Sequence, residues 1–427
     1  MTIPVQPPEA GLTRPASLLQ AARLPQWLLP PDWPQRELQP ALADIGICGR
    51  RIVAVTPHRS ADVEHPESRW QLHGALVTPC FVDAHTHLDK AYTSSRLHDA
   101  GPGLLAAIDA MAKDRSRWST NDLRERMSRG LEAAWRNGTS HIRTHIDWAE
   151  GPEPPLAWHV IRELGQEWSS RLSVEQVSLV KLPVFADFER ADRLAWHVAS
   201  TGPSAILGAF VHSSNWNALA LENLFRAAQR HGLDVDLHVD EELNPGACGL
   251  VTAARIVRET GFSGRVVCGH ACSLAALDDD TASQVLDALS DLPFTLVALP
   301  TTNLMLQDAV TGRTPGRRGL TRVHEARARG IPVLFASDNV QDPFCRLGTF
   351  DLPEVMTVGT LVAQLPRPFD AWSDSICRSD WLGRGVPPKR AGLVGQPADL
   401  VVFPHSDCWS WPSNTAQRTV LRAGQRL

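Results

Sequence analysis

The sequence predicts an α/β chain with a distorted (β/α)8 TIM barrel and a small β domain built from both chain ends. Eight short apolar runs alternate with longer helical patterns between residues 80 and 338, the signature of a parallel sheet with helices outside. That span of about 260 residues is the usual size of such a barrel. Strand-like segments lie on either side of it. The chain of 427 residues is 43% hydrophobic and 21% charged, enough apolar content for a large core and too much for a disordered chain.

Residues 1 to about 40 are proline-rich. ADIGICGRRIVAVTPHR then reads as two strands joined by a turn at Gly49, and WQLHGALVTP as a third. The barrel strands are read at 80–85, 141–147, 176–183, 205–210, 235–240, 265–270, 294–300 and 332–338. Between the first two, Leu123, Met127, Leu131 and Ala134 have helical spacing, with Gly138 as the stop. ADLVVFPH and RTVLRAGQRL read as strands near the far end. A two-strand unit is marginal alone, so the ends are expected to meet. This gives a β domain from 1–79 and 386–427 around a barrel at 80–385.

The 42 basic and 47 acidic side chains leave a net charge of −5, which argues against a nucleic-acid binder and offers no polybasic membrane anchor. Eight cysteines without a C-x-x-C pair read as free thiols in a reducing cytosol. With no apolar leader or spanning segment in the sequence, the expected location is cytoplasmic.

His85 and His87 lie two apart at the end of the first strand, so strand alternation aims both imidazoles the same way. Alone, such a pair is weak evidence. His238, His270 and Asp338 end three further strands, and sites in these barrels are built at that face. Three histidines and an aspartate around one divalent ion leave room for a water, whose pKa falls to about 7 on zinc. If each residue were merely a solvent-facing strand end, the coincidence would have to recur on four strands. Glu241 follows His238 by three residues and can pass a proton from water to a leaving nitrogen, although its neighbours Asp240 and Glu242 read equally as helix-capping or solvent-facing carboxylates.

FVDAHTHLDK, RTHID, HVDE, a strand ending in GH, LPTTNLMLQD with RRGLTRVHEA, and FASDNVQDPF together resemble the cytosine deaminase branch of the amidohydrolase superfamily. HLDK and RTHID also resemble N-isopropylammelide amidohydrolases. The resemblance covers residues 80 to 360, with ADLVVF similar to the superfamily's β domain. It implies that His85, His87, His238 and Asp338 bind one zinc or iron ion, that Glu241 shuttles protons, and that His270 hydrogen-bonds water or substrate. Asp338 would also help deprotonate the water. The residues alone do not separate His270 from the ligands. The resemblance further implies a homo-oligomer, for which the chain marks no interface.

Lys181 falls on the third strand and the fourth has no lysine, which favours one metal over a lysine-bridged pair; Lys181 is then a pocket-rim residue or a snorkelling one. Lys90 reads as a partner of Asp89. His145 and His212 are expected to be structural histidines near the pocket, and Cys268 and Cys272 buried thiols. The substrate side departs from the resembled pattern. Val184 stands where those enzymes place a pyrimidine-pairing glutamine, Asn339 where an aspartate follows the metal aspartate, and Phe344 where they have tryptophan. Valine has no donor or acceptor. The expectation is therefore a hydrolase of carbon–nitrogen bonds that deaminates a small amino-substituted N-heterocycle other than cytosine. The alternatives are hydrolysis of a cyclic amide or N-alkyl amino-heterocycle, and a barrel scaffold without catalysis.

Overall fold

The computed structural model describes residues 17–37, 39–59, 68–97, 100–148, 151–384 and 392–427. The first sixteen residues of the proline-rich start, and the expected boundary at 385, lie outside them. The chain divides into two compact units, one of 1–80, 367–373 and 389–427, the other of 81–366 and 374–388.

In the smaller unit, Ser17–Ala22 pairs with Ala43–Cys48, which pairs with Arg51–Pro57 across the Gly49 turn. WQLHGALVTP is two strands, Ser68–Gln71 and Leu76–Pro79, in different sheets. His73 (φ 51°) and Gly74 (φ 84°) turn the chain between them, in a left-handed conformation that glycine takes without a Cβ penalty. Leu76–Pro79 pairs antiparallel with Leu400–Phe403, so segments from both ends share a sheet. RTVLRAGQRL is a hairpin, Thr419–Arg422 and Gln425–Arg426, turned at Ala423 and Gly424. Ser17–Ala22, inside the proline-rich reading, is a half-buried strand.

The larger unit holds eight parallel strands in chain order: Phe81–Thr86, Thr139–Asp147, Ser173–Lys181, Ala205–Val211, Val235–Val239, Val266–His270, Phe294–Ala298 and Val333–Phe335. The eighth returns to the first through a bridge of Asp338 to Thr86 and a 2.8 Å hydrogen bond from Asp338 N to His85 O. The sheet is thus a nearly closed barrel. The helix Thr120–Arg136 is capped by the Ser119 hydroxyl and buries Leu123, Met127, Leu131 and Ala134, the stripe its spacing predicts. Three strand readings overrun by two residues or more. The third ends at Lys181, and Leu182–Ala186 is a short 3-10 helix. The seventh ends at Ala298, and Pro300–Leu306 is a helix with proline in its first turn. The eighth ends at Phe335, leaving Asp338 beyond it at φ 57°. Among the described residues, no helix is long and apolar enough to cross a membrane.

Arg143 on the second strand donates to Asp236 on the fifth at 2.9 Å. Those strands are not neighbours, so the pair spans the barrel interior. Arg143 also reaches the Leu382 carbonyl, and Trp381 and Leu382 join an apolar cluster with Val82, Ala84, Val267, Val297 and Leu334. Gly208 on the fourth strand has no space for a side chain. A Cβ there would stand 2.7 Å from the Asp236 carbonyl and 2.8 Å from that of Ser178. Gly208→Ala is expected to cost about 1–3 kcal/mol, read as a lowered midpoint of thermal unfolding; an unchanged midpoint would show that the two strands can part freely.

Candidate active site

The strand ends carry a dense group of imidazoles. His238 Nε2 lies 3.1 Å from His85 Nε2 and 3.1 Å from His87 Nε2, while Asp338 Oδ1 lies 3.6 Å and 3.2 Å from those two atoms. All four side chains are almost fully buried. His85 and His87 share this site while Val82 and Ala84 lie in the apolar cluster. The parity changes across a register shift between Asp83 and Thr86, the local twist of a bulge. Gly269 lets the His85 ring sit against the sixth strand, where a Cβ would come within 2.7 Å of Cε1.

These distances do not make a hydrogen-bond network. Burial, reinforced by neighbouring imidazoles and, for His85 and His87, by Lys90, pushes His85, His87 and His238 well below the usual histidine range, so all three are neutral. One Nε2 facing two others cannot satisfy both. His87 Nδ1 donates to the His145 carbonyl at 3.2 Å, leaving its Nε2 lone pair toward the cluster. Both Asp338 oxygens are buried without a hydrogen-bond partner, and burial raises its pKa. Ligands about 2.0–2.2 Å from one cation stand about 3.0–3.5 Å apart, so the donor set fits a divalent metal. His85, His238, His270 and Asp338 alone already bring one donor atom each within 4.8 Å of one another.

A second grouping, His85, His145 and Asp236, satisfies the same spacing but is already neutralised. Asp236 accepts from Arg143 and contacts His145 Nε2 at 3.0 Å, and a guanidinium there opposes a second cation. His145, stacked on His85 with centroids 3.9 Å apart, supports the cluster from beneath. His212 is half-buried and hydrogen-bonded to Ser214. Cys268 and Cys272 are buried free thiols.

His270 reaches the site by a backbone turn. It and Ala271 have φ 69° and 45°. Its Nδ1 faces Asn303 Oδ1 at 3.1 Å and Glu241 Oε1 at 3.3 Å, and its Nε2 has no protein partner. Burial lowers its pKa to about 4. Glu241 is buried, and burial first, then Asp338, pushes its pKa well above the usual carboxylate range. Its neighbours have other duties: Asp240 caps the helix Gly249–Thr260 through the Gly249 and Leu250 amides, and Glu242 accepts from Ser213 N.

His87, His238, His270 and Glu241 line a cavity. Val184, Asn339, Phe344 and Lys181 line it, as does Phe210. Asn339 donates to Asp342 Oδ2 at 2.7 Å, which commits one of its two amide N–H groups. Lys90 makes no direct ion pair with Asp89, although its charge favours the Asp89 carboxylate. Its Nζ lies 3.8 Å from Asp147 Oδ1 and 5.1 Å from the Phe344 ring centroid, within the cavity wall. Asp89 accepts from the Asp147 amide. Asp147 and Arg115 also line the cavity and were missed, as was the wall of Leu104, Ile108 and Met111 from the helix Leu104–Asp114. Asp147 follows His145 by two at a strand end, so the rule that found the histidines reaches it too.

A family model described as the amidohydrolase family matches residues 120–369. A pterin deaminase from Rhizobium rhizogenes is 35% identical over 386 residues, covering 90% of this chain and 87% of that protein. An N-isopropylammelide isopropyl amidohydrolase from Pseudomonas sp. is 25% identical, covering 90% and 92%. The structure of 5-methylcytosine deaminase from Klebsiella pneumoniae with 5-fluorocytosine superimposes with a TM-score of 0.75 at 22% identity, covering 96% and 97% of the two chains. That likeness speaks for the fold.

Proposed function

The chain belongs to the amidohydrolase family, and on that premise we propose that it is a metal-dependent hydrolytic deaminase of an amino-substituted N-heterocycle. The observation that carries this reading is the meeting of three neutral Nε2 atoms and the unpartnered Asp338 carboxylate beside the protonatable Glu241. His85, His87, His238 and Asp338 would hold one zinc or iron ion. Such an ion supplies Lewis acidity and makes water acidic enough to attack near neutral pH. Asp338 helps take the proton of the attacking water. Glu241 protonates the ring nitrogen, takes a proton back from the oxygen added to the ring carbon and delivers it to the departing amine, while His270 hydrogen-bonds that oxygen. Water adds to the carbon, its bond to the exocyclic nitrogen breaks, ammonia leaves, and the ring keeps an oxo group. The eight cysteines form no disulfide among the described residues, which fits a reducing compartment, and we place the enzyme in the cytoplasm.

Val184 offers no hydrogen bond to a pyrimidine edge and Asn339 is engaged by Asp342. A site lacking a ring-pairing partner discriminates by orders of magnitude. Ammonia release by metal-loaded protein from pterins, aminopurines, aminotriazines and cytosine tests the reading. A non-cytosine ring is expected to react, pterin first among them given the 35% identical relative, and efficient turnover of cytosine would overturn the specificity argument. The same metal centre could instead release an alkylamine, as the 25% identical relative's name describes for that protein; isopropylamine without ammonia would establish this second reading.

A further inference from the structure

The cavity also carries a cluster of charge. Its lining includes three cations, Lys90, Arg115 and Lys181, and, besides Glu241, the carboxylate of Asp147. Asp147 is held between two of them, with Oδ1 3.8 Å from Lys90 Nζ and Oδ2 hydrogen-bonded to Arg115 Nη2. One carboxylate offsets one of the three positive charges. The remaining donors are visible in the geometry. Arg115 Nε is buried with no hydrogen-bond partner, and Lys181, exposed at the end of the third strand, makes no ion pair among the described residues.

A neutral ring filling this cavity would cover those donors without answering them, and a buried polar group left unmatched is costly. An anionic substituent on the ring would match them, because a guanidinium and an ammonium suit carboxylate oxygens. Resting on the deaminase reading, we infer that the substrate is an amino-heterocycle bearing an anionic substituent, held by Lys181 and Arg115 while the ring lies along the apolar wall. Lys90, 4% exposed and fixed between Asp147 and Phe344, contributes field at the ring.

The test is calorimetric binding of two matched pairs, pterin with pterin-6-carboxylate and cytosine with 5-carboxycytosine, to the metal-loaded full chain. For the ring that fits, the carboxylate is expected to bind at least about tenfold more tightly than its neutral parent, and Lys181→Met to reduce that preference at least threefold. Equal or undetectable binding of both members, or an undiminished preference in both Lys181→Met and Arg115→Met, overturns the inference. Ammonia is assayed in the same samples. Preferential binding without ammonia from any compound would sink the deaminase reading alone, whereas ammonia at equal affinities would sink the anion site alone.

Discussion

Glu241→Gln is expected to slow ammonia release by about 10²–10⁴-fold, the range for loss of a positioned proton carrier, while metal content stays that of the wild type. The two halves follow from separate observations. Glutamine keeps the shape and can still hydrogen-bond His270, whose Nδ1 lies 3.3 Å from Oε1, but it cannot release and recover a proton. The side chain is buried, and burial together with Asp338 favours its protonated form over the carboxylate, with Lys90 opposing. A group so placed is poised to give up a proton when charge develops on the ring nitrogen. Glu241 is not among the four side chains proposed to hold the metal and contacts His270 instead, so the metal is expected to stay. Full activity in the variant would remove Glu241 from the mechanism; loss of metal along with activity would make it a ligand.

His238→Ala is expected to abolish activity by a different route, through the metal itself. His238 Nε2 is the atom that both other imidazoles approach, at 3.1 Å each. Its removal leaves His85 and His87 near Asp338 without a third nitrogen. Metal affinity should fall by more than the about 10–100-fold that accompanies loss of an outer hydrogen-bond partner. Elemental analysis after dialysis and competition against a chelator would measure this, with circular dichroism confirming the fold. A variant that kept tightly bound stoichiometric metal would show that His238 lies beside the ion without holding it.

The donor set was legible because a barrel aims strand ends at one place, so His85, His238 and Asp338 could be grouped before any distance was known. What alternation could not give was the aim of residues that leave the strand. His270 turns toward Glu241 through a left-handed backbone, which no period of two encodes. Lys90 sits in a turn past the first strand, where its ion pair is with Asp147 rather than Asp89. In the small unit, WQLHGALVTP looked like one strand because apolar residues stand on both sides of His73 and Gly74, while two left-handed residues there break the extended backbone. Arg115 was illegible because its role depends on where the helix Leu104–Asp114 and its exit carry it, a tertiary outcome that helical spacing leaves open.

Asp338 stands 252 residues beyond Thr86, and its backbone amide and carbonyl both bond to the first barrel strand. Bringing two points so far apart together costs about 5 kcal/mol of chain entropy. The proposed metal donors straddle this seam, with His85 and His87 on one side and Asp338 on the other. On that assignment the histidines emerge during synthesis long before the aspartate that completes their set, and a chain stopped short of the eighth strand would lack the carboxylate. Metal uptake would then be a late event, and a captured ion a clasp that favours the finished barrel over every shorter or unclosed form.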